Sequence, residues 1–517
     1  MTIYECPRCN TLFDTTKQKM QGHIFRCSNA LAYIRGTAFT AEADACKAEA
    51  LATAARGKAT AAAAVAAEAI RAELAKFKIV DKPLVDKPPS LKFIDLFCGI
   101  GGFHTALSRL GAKCVLACDI DANCREVYKT NYGIEPKTDI TTLESDSIPD
   151  FDILCAGFPC QAFSHAGKQI GLEDTRGTLF RDVCRILREK KPKYFLLENV
   201  KNLKGHDKGK TWFTIYKCLV ESGYTTYETP FVLSPHHLGV PQHRERVMIL
   251  GWRNDVLPAT GLPLVPVMKP DESVNIQSIL TDDDDVPEGT RLSATEMEVL
   301  NVWEELVVHF KKKNVKLPTF PMWSDDWDSS YSLTETVVPT TIQEETDDDQ
   351  TNQDDQDAST EEDLHFKIPK WKQKFVQQNR DFYAANKAFL EPWLKKARQI
   401  KGFTGAKRKF EWQAGKFQSD DSLWTLLFQF RPSGIRVKRA NYSPALVAMA
   451  QIVYVGEKRR KLSPREVARL QSFPDSFELP KSASVAYKQF GNSVNVEVIL
   501  YAARLLLGLQ LSSQVSS

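Results

Sequence analysis

From Leu91 to Trp252, short apolar runs alternate with longer stretches whose apolar positions recur at helical spacing. The runs Lys92–Leu96, Lys113–Ala117, Asp152–Ala156, Tyr194–Leu197, Tyr224–Leu233 and Arg246–Leu250 predict strands. Strands alternating with helices predict a parallel-type sheet sandwiched by helices. The last strand, after the turn Gly239-Val-Pro-Gln242, is expected to run antiparallel. Residues 253–430 lose this rhythm and read as aromatic, charged and irregular, with an acidic stretch at 341–363 expected to be a disordered insertion. Order returns beyond Arg431. Pro464-Arg-Glu-Val-Ala-Arg-Leu-Gln471 predicts a helix with proline in its first turn, and a last helix is expected from near Ser493 to about Leu507, stopped by Gly508.

At 517 residues the chain is long for one domain. Residues 31–78 are Ala-rich with few large apolar residues, which predicts a solvated helical spacer, and a Pro-containing linker follows at 81–89. The expected divisions are 1–30, 31–90, 91–255, 256–430 and 431–517. A net charge of +3 conceals an uneven distribution, with 344–363 acidic and 367–410 and 431–465 rich in Lys and Arg. All 12 cysteines lie at or before Cys218, and neither a signal peptide nor a bilayer-length apolar run appears. Reduced thiols and a cytoplasmic, nucleoid-associated setting are expected.

Four groups of residues carry candidate chemistry. Phe93-Ile-Asp-Leu-Phe-Cys-Gly-Ile-Gly-Gly-Phe103 runs an apolar strand into closely spaced glycines, a turn that lets a small ligand approach backbone, though a purely structural turn reads the same way. Asp119, 24 residues after Asp95, could hold ribose hydroxyls. Cys160 follows Pro159 just past a strand end, where a positive environment would favour the reactive thiolate. Glu198 ends the apolar run Tyr194–Leu197, so desolvation should raise its pKa and suit it to donate a proton. In Gln242-His-Arg-Glu-Arg-Val247, at the start of a strand, alternation puts Arg244 and Arg246 on one face, where two guanidiniums could serve a carbonyl oxygen and a neighbouring carboxylate or phosphate, though taken singly each reads as a surface salt bridge.

In this order the four groups resemble the cytosine-5 DNA methyltransferases. Further blocks agree: Asp174-Thr-Arg-Gly-Thr-Leu-Phe180, Arg465-Glu-Val-Ala-Arg-Leu-Gln-Ser-Phe-Pro474 and Phe490-Gly-Asn-Ser-Val494. The resemblance spans residues 91–255 and 431–508. It implies an α/β fold, a Rossmann-like mixed sheet closed by the C-terminal helix, with a smaller irregular target recognition domain at 256–430. It implies Cys160 as the nucleophile toward carbon 6 of a flipped-out cytosine, Glu198 at ring nitrogen 3, Arg246 at the carbonyl oxygen, and Arg244 as an accompanying arginine. For S-adenosyl-L-methionine it implies Phe97, Gly99, Gly101, Asp119, Ile120, Asp139, Ile140, Pro159, Asn492 and Ser493. His243 stands where Asn or Lys is usual.

Outside the resemblance, Cys6-x2-Cys9-x13-His23-x3-Cys27 has the spacing of zinc-finger ligands, with Tyr4, Phe13 and Met20 placed as a small core. Structural zinc is expected there, with DNA or protein as its partner. Trp371, Lys372, Lys374, Arg380 and the Lys395–Lys409 cluster fit phosphate contact. The expected substrate is double-stranded DNA, acted on by a monomer working beside a restriction or defence system. An RNA-modifying enzyme of the same fold and a non-catalytic DNA-binding regulator are the alternatives.

Overall fold

The computed structural model describes residues 4–5, 12–13, 91–159, 175–265, 274–282, 286–331, 333, 369–446 and 451–509. The chain divides into two units, Met1–Asp86 and Lys87–Ser517. In the first, β1 (Tyr4–Glu5) and β2 (Leu12–Phe13) pair antiparallel, Tyr4 opposite Phe13. Cys6, Cys9, His23, Cys27 and the Ala-rich spacer lie outside the described residues, as does the acidic stretch 341–363.

The second unit begins with a mixed sheet. Its strands are β3 (Lys92–Leu96), β4 (Lys113–Cys118), β5 (Ile153–Ala156), β6 (Tyr194–Val200), β7 (Tyr224–Thr226) and β8 (Phe231–Leu233). The short β9 (Gln242–His243) stands outside it, and β10 (Arg246–Arg253) completes it. The order is β4-β3-β5-β6-β10-β7, with β8 also on β10. The first four are parallel, and β10 runs antiparallel to each of its neighbours. The run expected as one strand over Tyr224–Leu233 is two, separated by a segment containing Pro230, which has no N–H for the ladder.

Successive residues of the strands enter opposite cores. Ile94, Leu154, Leu197 and Val247 pack on one side, with α3 (Thr175–Lys190) and α4 (Lys210–Glu221) supplying Val183, Leu187, Ile215 and Leu219. Phe93, Cys155, Leu196 and Met248 pack on the other, with α1 (Gly102–Ser108) and α2 (Ala122–Tyr132) supplying Phe103, Leu107 and Val127. Burial on both faces is why these strands read as continuous apolar runs.

The described residues within 253–430 are not irregular throughout. They contain α5 (Ala294–Lys312), β11 (Met322–Trp323), α6 (Lys370–Ala385), α7 (Lys387–Ala397), β12 (Lys409–Trp412) and most of β13 (Leu427–Arg431). The sheet does not stop at residue 430, because β13 pairs with β14 (Gly434–Lys438). After the separate β15 (Ser443–Pro444), it continues through β16 (Tyr454–Val455) to β17 (Arg460–Lys461). Strands of two to five residues are too short to show a period in sequence. An aromatic core of Trp303, Trp327, Trp393, Phe403 and Phe410 holds this lobe, and each of the three indole N–H groups finds an acceptor.

The chain then returns to the first sheet. α8 (Pro464–Leu470) has Ser463 as N-cap and proline in its first turn; α9 (Ala483–Asn492) and α10 (Val496–Leu506) follow. α10 starts after Ser493 because residues 493 and 495 are extended, and Gly508 beyond it is left-handed at φ 64°. α10 lies on α1, and Trp252 Nε1 donates to Leu506 O at 3.0 Å. Between lobe and sheet, Arg460 of β17 and Glu466 of α8 form a bidentate pair, both contacts 2.8 Å and both side chains at most 1% exposed. Glu466 also accepts from the backbone of Ser463 and Thr281. Glu466→Ala should leave Arg460 buried without its counter-charge and lower stability by about 3–5 kcal/mol. Urea unfolding midpoints measure this, and an unchanged midpoint would show that the pair does not hold the junction.

Candidate active site

At the carboxyl end of β3 the chain turns through Phe97, Gly99 and Gly101, all with positive φ (55°, 52° and 87°). Each glycine has its own reason. A Cβ on Gly101 would sit 2.2 Å from the Tyr132 ring, and one on Gly102 would sit 2.5 Å from Val494, so these positions are closed by packing. A Cβ on Gly99 would meet nothing within 4 Å, so its positive φ rather than packing is what favours glycine there. Asp119, at the end of β4, takes the Gly99 N–H at 2.7 Å and the Asp121 N–H at 2.9 Å, and thereby sets the loop's shape. Beside it Ile120 is 79% exposed, a large apolar side chain standing in solvent at the carboxyl edge of the parallel strands. Asp139 caps the short turn Ile140–Thr142, accepting from Thr141, while Ile140 is buried.

Beneath the loop lies Asp95, fully buried. Burial, then the nearby charge of Asp119, pushes its carboxyl well above the usual range. Tyr128 donates to it at 3.5 Å, and the Tyr132 hydroxyl binds the carbonyl of Gly101 at 2.9 Å. The turn between α9 and α10 closes the loop from the other side, with Ser493 Oγ and Val494 against Gly102. Asn492 is exposed and Ser493 is buried there.

A second cluster lies at the end of β6. Glu198 is 8% exposed, and Arg246 on the antiparallel β10 brings Nε to 3.0 Å from its Oε1. Burial raises the Glu198 carboxyl above its ordinary pKa, although Arg246 and Arg244 pull it down. Gly157, where a Cβ would be 3.7 Å from Glu198 Oε2, carries the chain past the carboxyl toward Phe158 and Pro159. Asn199 Nδ2 holds the carbonyl of Phe158 at 3.2 Å. Cys160 begins the segment 160–174, outside the described residues. Asn199 was not singled out in the sequence, where nothing distinguishes it from a polar strand terminus.

Arg244 does not share the Arg246 position. It falls between β9 and β10, outside the strand that alternation assumed, and its guanidinium points away into the fold. Nη1 donates to Leu446 O at 2.7 Å, and Nη2 donates to Gly491 O and Ser493 O at 3.0 Å each. It is a buried cation over the carboxyl end of α9, where the last carbonyls need donors. Nearby, β9 pairs in parallel with β15, so residues near 443 lie beside Gln242 and the exposed His243. Among the described residues no group of three or more His, Cys, Asp or Glu could hold a metal ion, and no helix is long and apolar enough to cross a membrane.

A carboxyl whose folded-state pKa is raised contributes stability at low pH that is lost as pH rises through that pKa. Between about pH 5 and about pH 8 the Tm of the native protein should therefore fall more than that of Asp95→Asn. Parallel pH profiles by scanning calorimetry check this.

Two loops at one edge of the sheet, one bordered by empty space at Gly99 and one carrying a buried acid with its arginine, suit group transfer between two bound molecules. Residues 91–507 match the model of the C-5 cytosine-specific DNA methylase family. The Type II methyltransferase M.AluI of Cellulosimicrobium cellulans is 34% identical over 478 residues, covering 80% of this chain and 91% of that protein. M.HhaI of Haemophilus parahaemolyticus is 32% identical over 80% of this chain and 93% of its own length. For M.HpaII of Haemophilus parainfluenzae the figures are 33%, 80% and 88%. The chain belongs to the C-5 cytosine-specific DNA methylases.

Proposed function

We propose that the protein transfers a methyl group from S-adenosyl-L-methionine to carbon 5 of cytosine within a specific sequence of double-stranded DNA, through a transient Cys160 adduct on a flipped-out base. The observation that carries this reading is the Glu198–Arg246 pair, a desolvated acid and a guanidinium at 3.0 Å, lying against Gly157 on the approach to Cys160, with the next residue, Asn199, holding the Phe158 carbonyl.

The empty space beside Gly99, where a Cβ would meet nothing, and the exposed Ile120 beside Asp119 fit a nucleoside-bearing cofactor. Phe97, Gly99, Gly101, Pro159, Asn492 and Ser493 would line its site, with Asp119 at the ribose and Asp139 and Ile140 toward adenine. When bound, S-adenosyl-L-methionine supplies an electrophilic methyl group. The residues of the chain then act on the pyrimidine. The thiolate of Cys160 adds to carbon 6. Electron density moves toward nitrogen 3 and the carbonyl oxygen, where Glu198 gives a proton and Arg246 a hydrogen bond, so no bare charge builds on the ring. Carbon 5, now nucleophilic, takes the methyl. A base removes the carbon-5 proton, the double bond re-forms, Glu198 recovers its proton and Cys160 leaves as thiolate. The pocket can act only on a base outside the stack.

The second lobe serves in this reading as the target recognition domain. Trp371, Lys372 and Lys374 are exposed on α6 and suit phosphate contact. Arg380 is engaged within the lobe, donating to Ser329 and Tyr331 O with its guanidinium over the Tyr331 ring, and Lys396, Arg398 and Arg408 are paired with Glu305, Asp328 and Asp325. Cys6, Cys9, His23 and Cys27 are proposed as a structural zinc set. Relatives named as Type II methyltransferases support a place beside a restriction enzyme.

In a labelled-methyl assay on duplex DNA, Cys160→Ala should give background only, and Glu198→Gln should lower kcat by about 10²–10⁴-fold. The protonated fraction of Glu198 falls as pH rises through its raised pKa, so the native rate should drop on the alkaline side, and this limb should vanish in Glu198→Gln. Equal methylation by the native enzyme and Cys160→Ala would overturn the mechanism.

A further inference from the structure

Two cysteines outside the Glu198 cluster meet where α3 and α4 cover the same face of the first sheet. Cys184 of α3 and Cys218 of α4 are both free thiols, and their sulfurs lie 2.6 Å apart, sharing a hydrogen. Cys184 is fully buried, whereas Cys218 is partly exposed, so a small solute can reach one member of the pair. Arg188, exposed and one helical turn beyond Cys184, brings Nη2 to 3.3 Å from the Cys218 sulfur. The hydrogen bond with Cys184 holds the Cys218 thiol down at about 7, against burial and with help from Arg188. The same hydrogen bond, with burial, pushes the Cys184 thiol well up. Charge therefore settles on the reachable sulfur and the proton on the enclosed one. Burial pushes up the thiols of Cys98, Cys114, Cys118, Cys124 and Cys155, so among the described cysteines Cys218 alone is tuned toward thiolate.

We propose that Cys184 and Cys218 form a site of reversible oxidation by hydrogen peroxide, with Cys218 attacked first, Cys184 as its resolving partner, and a disulfide that staples α3 to α4. The Cys218 thiolate attacks one peroxide oxygen. An S–O bond forms, the O–O bond breaks, and the hydroxide released takes up a proton to become water. Cys184 then attacks the sulfur of the Cys218 sulfenic acid. The S–S bond forms, the S–O bond breaks, and hydroxide leaves with the Cys184 proton as a second water. Two thiols thus lose two electrons, and one peroxide gains them. The sulfurs need only close to the ~2.05 Å of a disulfide, roughly half an ångström that side-chain torsions can supply. The chain between the two cysteines contains all of β6, with Glu198 and Asn199, and α3 starts at Thr175, directly after the segment that holds Cys160. A cross-link here closes a loop around the strand that carries the acid and restricts that stretch in the unfolded chain.

The test treats the reduced full-length protein with hydrogen peroxide, blocks the remaining thiols with N-ethylmaleimide in denaturant, and maps tryptic peptides without reduction. The peptides of Cys184 and Cys218 should appear joined, two hydrogens lighter than their sum, and should separate in dithiothreitol. Cys184→Ser removes the resolving thiol, so Cys218 should instead accumulate as sulfenic acid, trapped by dimedone. Cys184→Ala gives the same reading if the serine variant does not accumulate. In Cys218→Ser, Cys184 should stay reduced. The urea midpoint of the native protein should rise on oxidation and return in dithiothreitol, a shift absent from Cys218→Ser. Full maleimide labelling of Cys184 and Cys218 after peroxide overturns the proposal, as does a native Cys218 trapped as sulfenic acid with no joined peptide. A joined peptide with an unchanged urea midpoint overturns the staple.

Discussion

The guanidinium of Arg244 ties together three stretches of chain that are remote in sequence. Its partners are carbonyls of Leu446, Gly491 and Ser493, while its own backbone N–H is taken by Ser234 Oγ. Those carbonyls belong to the return path from the second lobe and to the turn that closes the glycine loop. A neutral side chain here would leave the carboxyl end of α9 with orphan carbonyls in the interior, a cost that no local rearrangement could remove. The glycine loop, the α9–α10 turn and the strand carrying Arg246 therefore share one anchor. The edge that would bind two molecules at once is assembled by a residue facing neither.

On that anchor the site sets opposing influences against one another at Glu198. Burial favours the neutral acid; Arg246 in contact and Arg244 further away favour the carboxylate. Burial is the stronger influence, so the carboxyl lies above its ordinary range, the direction that the proposed proton donor requires. Asp95 shows the other extreme, an acid so enclosed that its neutral form is strongly favoured, and it serves the loop from below.

Much of the first sheet was legible because its strands are buried on both faces. Runs beginning at Lys92, Lys113, Tyr194 and Arg246 stand out as uninterrupted apolar segments, and strand β10 has the expected antiparallel direction. The α8 start was legible from the proline in its first turn. The second lobe was not, because its strands are very short and its core is drawn from rings scattered over helices, turns and strands. Glu198 and Arg246 could be picked out as polar residues at strand ends. Arg244 was misplaced because alternation was extended into a residue that precedes the strand. Asn199 and Asp95 carry no local signal: each matters through a partner brought near only by the fold.

The order in which the elements leave the ribosome follows from the position of α10. Every strand of the first sheet is synthesised by Arg253, yet one face of that sheet is completed only by Ile499, Leu505 and their neighbours near the end of the chain. A nascent molecule must therefore carry a sticky, half-covered sheet throughout translation of the second lobe. Exposure of that apolar face before the chain is finished is a hazard that this topology builds in.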